Sequence, residues 1–210
     1  MESEHTDAFK ALNEEVKSDS ENSAVWLSRG VAYLQRGDYD KAIKDFDESI
    51  RLDPEVAKAW YCRAATFFYT EKFDHALDDS NESIRIDPKS SRNLSLRGDI
   101  FFKKDCHGKA ISDYSQAISF YPNQSGGWAM FTTAGNFLED YYKTLFQQAE
   151  QATAGPKLLA CILHNRGCAY IEKSEFIQAI KDFTEAISID SDYTQAWENR
   201  GIAYAEIGDV

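Results

Sequence analysis

Proline, methionine, cysteine and histidine are scarce here, with 4, 2, 4 and 4 of each among 210 residues. So few prolines leave room for long uninterrupted helices. Four cysteines (Cys62, Cys106, Cys161, Cys168) without framework spacing exclude a disulfide scaffold and predict reduced thiols. Long apolar runs are also missing. The longest, such as 158–163, is far too short to cross a bilayer. The opening residues MESEHTDAFK are polar and acidic, so neither a secretory signal nor a presequence is expected, and a cytoplasmic location is. Positive charge is short as well. The formal net charge of −12 argues against nucleic acid, whose phosphates demand a basic surface. Catalytic signatures are absent: no Gly-x-x-x-x-Gly-Lys-Ser/Thr loop, no Gly-x-Gly-x-x-Gly fingerprint and no His-Glu-x-x-His. Neither an enzyme nor a cofactor is expected.

What the chain does have is a repeat. The stretch 23–55, SAVWLSRGVAYLQRGDYDKAIKDFDESIRLDPE, recurs. Trp26 returns as Trp60, Leu94, Leu163 and Trp197, and Gly30 as Ala64, Gly98, Gly167 and Gly201. Ala42 returns as Ala76, Ala110 and Ala179, and Pro54 as Pro88 and Pro122. The first three copies are 34 residues apart, a period that signals stacked supersecondary units. Within one copy, Leu27, Val31 and Leu34 lie at helical spacing beside a second row, Trp26, Gly30 and Tyr33. Arg36-Gly37-Asp38 breaks that helix, Gly37 suiting a left-handed turn. A second helix runs from Tyr39 through Ala42, Phe46 and Ile50 until Asp53-Pro54 stops it. The small Gly30 and Ala42 predict a close crossing of the two helices.

Trp26, Gly30, Tyr33, Gly37, Tyr39, Ala42, Phe46 and Pro54, with Ser49 for the usual alanine, resemble the tetratricopeptide repeat family. The resemblance covers nearly the whole chain. It implies an all-α fold, a right-handed superhelical solenoid of antiparallel helix pairs, and a non-enzymatic protein-interaction scaffold. In repeat register, 6–22 is a capping helix or half-repeat, and 23–56, 57–90 and 91–124 are repeats. Residues 125–159 read as a degenerate helix pair, 160–193 as a repeat and 194–210 as a first helix alone. Ala154-Gly155-Pro156 breaks the chain before a helix that reaches about Glu172.

One departure from the family recurs. Arg29, Arg63, Arg97, Arg166 and Arg200 occupy the place of its leucine, and Asp45, Asp79, Asp113 and Asp182 share one place on the second helices. Pairing inside each repeat leaves only Arg200 without an aspartate. The expected pairs are therefore Arg29–Asp45, Arg63–Asp79, Arg97–Asp113 and Arg166–Asp182.

Binding residues follow from the resemblance, which places the inner surface on the first helices at the second, fifth, sixth, ninth, twelfth and thirteenth positions. Those positions supply Lys58, Tyr61, Phe68, Tyr69, Arg92, Asp99, Phe102 and Lys103 as ligand-groove candidates, with Phe68 and Phe102 also suited to packing between helices. The later repeats place Glu172, Glu198 and Glu206 there, so the groove should be basic first and acidic later. Aromatics offer large contact area at low entropic cost. The expected partner is a protein or peptide bearing an acidic group beside an aliphatic or aromatic one; neither nucleic acid nor membrane is expected. Relatives that grip acidic chaperone tails place lysine, asparagine and arginine where this chain has Leu27, Val31, Cys62, Arg92 and Leu96, of which only Arg92 fits. Cys161, His164 and Cys168 share one helical stripe, but no fourth ligand accompanies them and no metal is expected. The alternative function is weak head-to-tail self-association through the incomplete terminal repeats, 6–20 against 194–210.

Overall fold

A computed structural model describes residues 2–121 and 154–208. The described residues hold ten helices and no strand. They divide into two compact units, Met1–Pro88 and Lys89–Val210. Unit one holds α1 (Glu2–Ser18), α2 (Ser23–Gln35), α3 (Tyr39–Leu52), α4 (Ala57–Tyr69) and α5 (Phe73–Ile86). Unit two holds α6 (Ser91–Lys103), α7 (His107–Phe120), α8 (Ala154–Glu172), α9 (Phe176–Ile189) and α10 (Thr194–Glu206). Packed pairs are α2 with α3, α4 with α5, α6 with α7 and α8 with α9. Pro156 falls in the first turn of α8 and the helix ends at Glu172, as expected, but Ala154 and Gly155 are helical instead of forming a break. Apart from 154–159, the degenerate helix pair expected over 125–159 lies outside the described residues.

Each pair is joined by the same turn. Gly37 N–H donates to Leu34 and Asp38 N–H to Tyr33, a Schellman closure that satisfies carbonyls the helix end would orphan. The same two bonds recur after α4, α6 and α8. Gly37 takes φ +75°, as the sequence predicts, but Glu71, Asp105 and Ser174 occupy that left-handed place with φ of 56–59°. A side chain there costs of order 1 kcal/mol, so the turn is imposed by packing in three of the four cases.

Where the repeat keeps its tryptophan, on α2, α4 and α10, that residue ties the other end of the helix. Trp26 Nε1 donates to the Ser20 carbonyl at 2.8 Å, Trp60 to Pro54 at 2.8 Å and Trp197 to Ser191 at 3.0 Å. The indole thereby caps the loop entering its own helix while its ring packs sideways.

The close crossing sits elsewhere than the Gly30/Ala42 pairing suggests: the second helix brings an aromatic ring, not its alanine, to the glycine. A Cβ on Gly30 would lie 2.6 Å from Phe46 Cε1, one on Gly98 2.6 Å from Tyr114 Cε1 and one on Gly167 2.6 Å from Phe183 Cε1. Repeat 57–90 carries Ala64 and Ser80 at the same two places, both buried. Losing the glycine and losing the ring are thus one compensating exchange. Gly98→Leu is expected to cost roughly 1–3 kcal/mol or more by overpacking. Chemical denaturation should show the loss, and a melting curve like the parent's would refute the ring-on-glycine contact.

Arginine then ties pair to pair. Arg29, Arg63, Arg97 and Arg166 each present Nε and Nη2 to both oxygens of Asp45, Asp79, Asp113 and Asp182, at 2.7–2.9 Å. All four expected pairs form. The hydrogen bonds that Arg29 donates to Asp45 raise its pKa above its ordinary value. At Asp79 and Asp182, burial pushes the carboxyl up while the arginine fork opposes it.

The remaining nitrogen, Nη1, reaches the preceding second helix. It donates from Arg29 to Asn13 (3.3 Å), from Arg63 to Asp47 (2.6 Å) and from Arg166 to Ser115 (3.1 Å). The last contact spans 51 residues where the others span 16. Consistent with it, α8 packs directly on α7, as α4 packs on α3. In unit one, α1 plays the part of a second helix: Phe9 meets the Tyr33 ring edge-on at 5.0 Å, and Val16 is buried.

Candidate functional site

The first helices carry the expected binding residues, and each unit treats them differently. In unit one, Lys58 opens α4 half-buried, and burial lowers its ammonium pKa. One turn on, burial pushes the Cys62 thiol up to about 12, so it stays protonated. Tyr61 is 4% exposed, which makes it part of the packed interior and leaves little of it for a ligand. Phe68 stands edge-on to both Tyr69 and Phe73, each at 5.8 Å, which keeps it half-buried against the start of its own second helix. Tyr69, also half-buried, closes the C-terminal end of this face.

In unit two, Arg92 is half-buried near Tyr121, Lys103 is exposed, and Phe102 stands edge-on to His107 at 5.3 Å. Asp99 departs most from the expected groove charge. Its Oδ1 accepts from the Tyr114 hydroxyl at 2.6 Å and from Asn165 Nδ2 at 3.0 Å. Burial raises its pKa to about 7, with those two donors and Lys103 opposing. At neutral pH it supplies only a fraction of a negative charge.

Asp99 ends a polar chain that the sequence reading does not assemble. Asn165 Oδ1 lies 3.2 Å from His164 Nδ1, and His164 Nε2 lies 3.0 Å from Asn199 Nδ2. The same Asn199 nitrogen donates to Cys168 Sγ at 3.4 Å, and that sulfur is 3.7 Å from His164 Nε2. A single tautomer satisfies these contacts: a neutral imidazole with its proton on Nδ1, accepting at Nε2. Burial favours that neutral form by lowering the His164 pKa. The ring lies between Phe183 and Tyr193, with centroids 5.6 and 4.9 Å away.

Two members of the Cys161/His164/Cys168 stripe are therefore brought together, with an asparagine as third party. Burial takes the Cys168 thiol to about 12, which leaves no thiolate for nucleophilic chemistry. No metal-holding cluster of histidine, cysteine and carboxylate occurs among the described residues. Sequence reasoning missed Tyr114, Asn165 and Asn199. A signal existed for the asparagines: extending the groove register to the later repeats puts both at the sixth position. Glu172, Glu198 and Glu206 are all exposed. Among the described residues, no helix is long and apolar enough to cross a membrane.

Two stretches match models of the tetratricopeptide repeat, 23–56 and 162–193. No curated protein matches the sequence. Among solved structures, the crystal structure of MamA is 19% identical with a TM-score of 0.67, covering 92% of this chain and 93% of that one. PilF of Pseudomonas aeruginosa is 15% identical with a TM-score of 0.67, over 91% of this chain and 72% of its own. YrrB, described as a tetratricopeptide repeat protein with an unusual peptide-binding site, is 17% identical with a TM-score of 0.50, over 91% and 98%. At such identities the likeness is one of fold. With both repeat matches and the same paired-helix architecture, the chain carries tetratricopeptide repeats at 23–56 and 162–193.

Proposed function

We propose that the chain is a non-enzymatic scaffold that binds a peptide or partner protein along the surface of its first helices. The observation that carries this reading is the composition of that surface within each unit, on α4 in the first and on α6 in the second. Cations and half-buried aromatics alternate there: Lys58, Phe68 and Tyr69 on one helix, Arg92, Phe102 and Lys103 on the other. Desolvation already penalises the Lys58 charge, so an acidic ligand group beside it restores what burial takes away. The aromatics provide contact area that is largely ordered before binding. With Asp99 about half protonated at pH 7, α6 offers a more basic face than its sequence count suggests. The ligand on this reading couples an acidic group with an apolar or aromatic neighbour, charge governing encounter and the rings holding it. The family match supports a role in protein interaction, and the fold by itself names no partner.

A panel of fluorescent peptides, each pairing aspartate or glutamate with an aromatic residue, tests the proposal by anisotropy. Lys58→Ala with Tyr69→Ala, and separately Arg92→Ala with Lys103→Ala, should each weaken the best binder at least tenfold, about 1.4 kcal/mol. Helicity should not change. Tyr61 is left intact because truncating a buried ring would confound binding with folding. Equal affinity in both double variants would move the ligand to another face.

A further inference from the structure

The aspartates that recur on the second helices, Asp45, Asp79, Asp113 and Asp182, each face an arginine fork. Asp99 is held differently. It projects from a first helix, α6, and its Oδ1 accepts from two neutral groups, the Tyr114 hydroxyl at 2.6 Å and Asn165 Nδ2 at 3.0 Å. Among the described residues no cation donates a hydrogen bond to it. The residue is half-buried and lies in the register of the ligand surface, one turn before Lys103 and two turns after Arg92.

The groups around it leave the charge to Asp99 alone. On α7, burial and Asp99 keep the Tyr114 phenol protonated, and Asp113 is committed to the Arg97 fork. On α8, Asn165 links the carboxyl to His164, which burial keeps neutral, and the Cys168 thiol beyond that ring stays protonated for the same reason. On α6 itself, the exposed Lys103 is the cation whose field reaches the carboxyl. Between pH 6 and pH 8, Asp99 is therefore the member of this cluster that exchanges a proton with solvent.

We propose that an acidic ligand group binds to α6 together with a proton, which Asp99 takes up because the ligand carboxylate competes with it for Lys103. The inference rests on the acidic-ligand reading given above and assigns its regulation. Lys103 serves one carboxylate fully at a time. A ligand that engages it weakens the cation's hold on Asp99 and brings a like charge nearby, and both changes favour the protonated form. Protonating Asp182 would break up a two-pronged arginine contact, whereas Asp99 has none to lose. A proton on Oδ2 leaves Oδ1 free to keep accepting from Tyr114 and Asn165. The coupling is reciprocal, so acidification strengthens binding by the factor that binding raises proton affinity.

The probe is a capped, fluorescent aspartate–tryptophan peptide from the panel described above, titrated into the full chain at pH 6, 7 and 8. Calorimetry in two buffers of different ionisation enthalpy reads the proton uptake directly. For a tenfold rise in proton affinity at a group half-protonated near neutrality, roughly 0.3–0.5 of a proton should be taken up per ligand at pH 7, and binding should be about fivefold weaker at pH 8 than at pH 6. Asp99→Asn should bind more tightly than the parent at pH 8, take up no proton and lose the pH dependence; His107 and Lys58 remain in that variant, so their titration cannot imitate the result. Equal heats in the two buffers, or a pH dependence that survives Asp99→Asn, would overturn the inference and leave the ligand surface standing. Loss of binding in Asp99→Asn would overturn it too, by making Asp99 a ligand contact. A peptide that binds at none of the three pH values would remove the ligand surface and this inference with it.

Discussion

Arg166→Met should destabilise the protein by roughly 3–5 kcal/mol, the usual cost of leaving one half of a buried ion pair without its partner. The Asp182 side chain is 7% exposed and receives two guanidinium hydrogen bonds at 2.8 Å. Methionine fills much of the arginine's volume but offers no donor, so the carboxylate must either stay charged without compensation or take up a proton. The same change removes the bond from Nη1 to Ser115 and loosens the seam between α7 and α8. Arg166→Met combined with Asp182→Leu should recover most of the loss, because apolar replacement of both halves removes the desolvation penalty as well as the attraction. Denaturant titration of parent, single and double variants checks both halves of the claim. A double variant no better than the single one would show that the pair contributes net stability rather than pairing specificity.

Asp99→Asn should stabilise the protein, and by more at pH 8 than at pH 5. The Asp99 carboxyl rises from 3.8 to about 7 on folding. The folded state therefore holds a proton that the unfolded state has already released, and ionisation works against folding from about pH 4 upward until the folded group has titrated near pH 7. Asparagine keeps an acceptor for Tyr114 and Asn165 but carries no charge. The gain relative to the parent should grow by about 2–3 kcal/mol between the two pH values, at 1.36 kcal/mol per unit. Comparing variant with parent at each pH cancels the other titrating groups. An identical gain at pH 5 and pH 8 would show that Asp99 is solvated.

Much of the fold was legible because the repeat encodes it several times over. Gly37 and the Asp-Pro pairs at 53–54 and 87–88 mark helix ends, and the arginine and aspartate positions reveal their partnership by disappearing together in 125–159. Less legible was the reason for the small residues. Periodicity reports which face is buried but not what lies on it, so Gly30 was matched to Ala42 when Phe46 fills the space. For the same cause, periodicity does not reveal that Ala64 and Ser80 change together as a compensating pair. Site residues fared unevenly, since position within a first helix identifies a face and not its cover. Lys103 and the three glutamates are exposed, while Tyr61 and Asp99 are enclosed. The polar chain joins Asp99 to Asn165 across 66 residues, a separation no local pattern announces.

The long reach of Arg166 has a kinetic consequence. Arg29, Arg63 and Arg200 each close to the preceding helix over 16 residues, so those junctions belong to short loops that assemble quickly. Joining α8 to α7 brings together groups 51 residues apart. By loop-closure scaling the longer segment adds about 1 kcal/mol of entropic cost, and that cost falls due before any contact across the junction rewards it. A solenoid that could otherwise zip from either end thus has one junction that must wait. Helix pair α6–α7 on one side and helices α8–α10 on the other can each form from local contacts, and the search that joins them sets the pace for the whole.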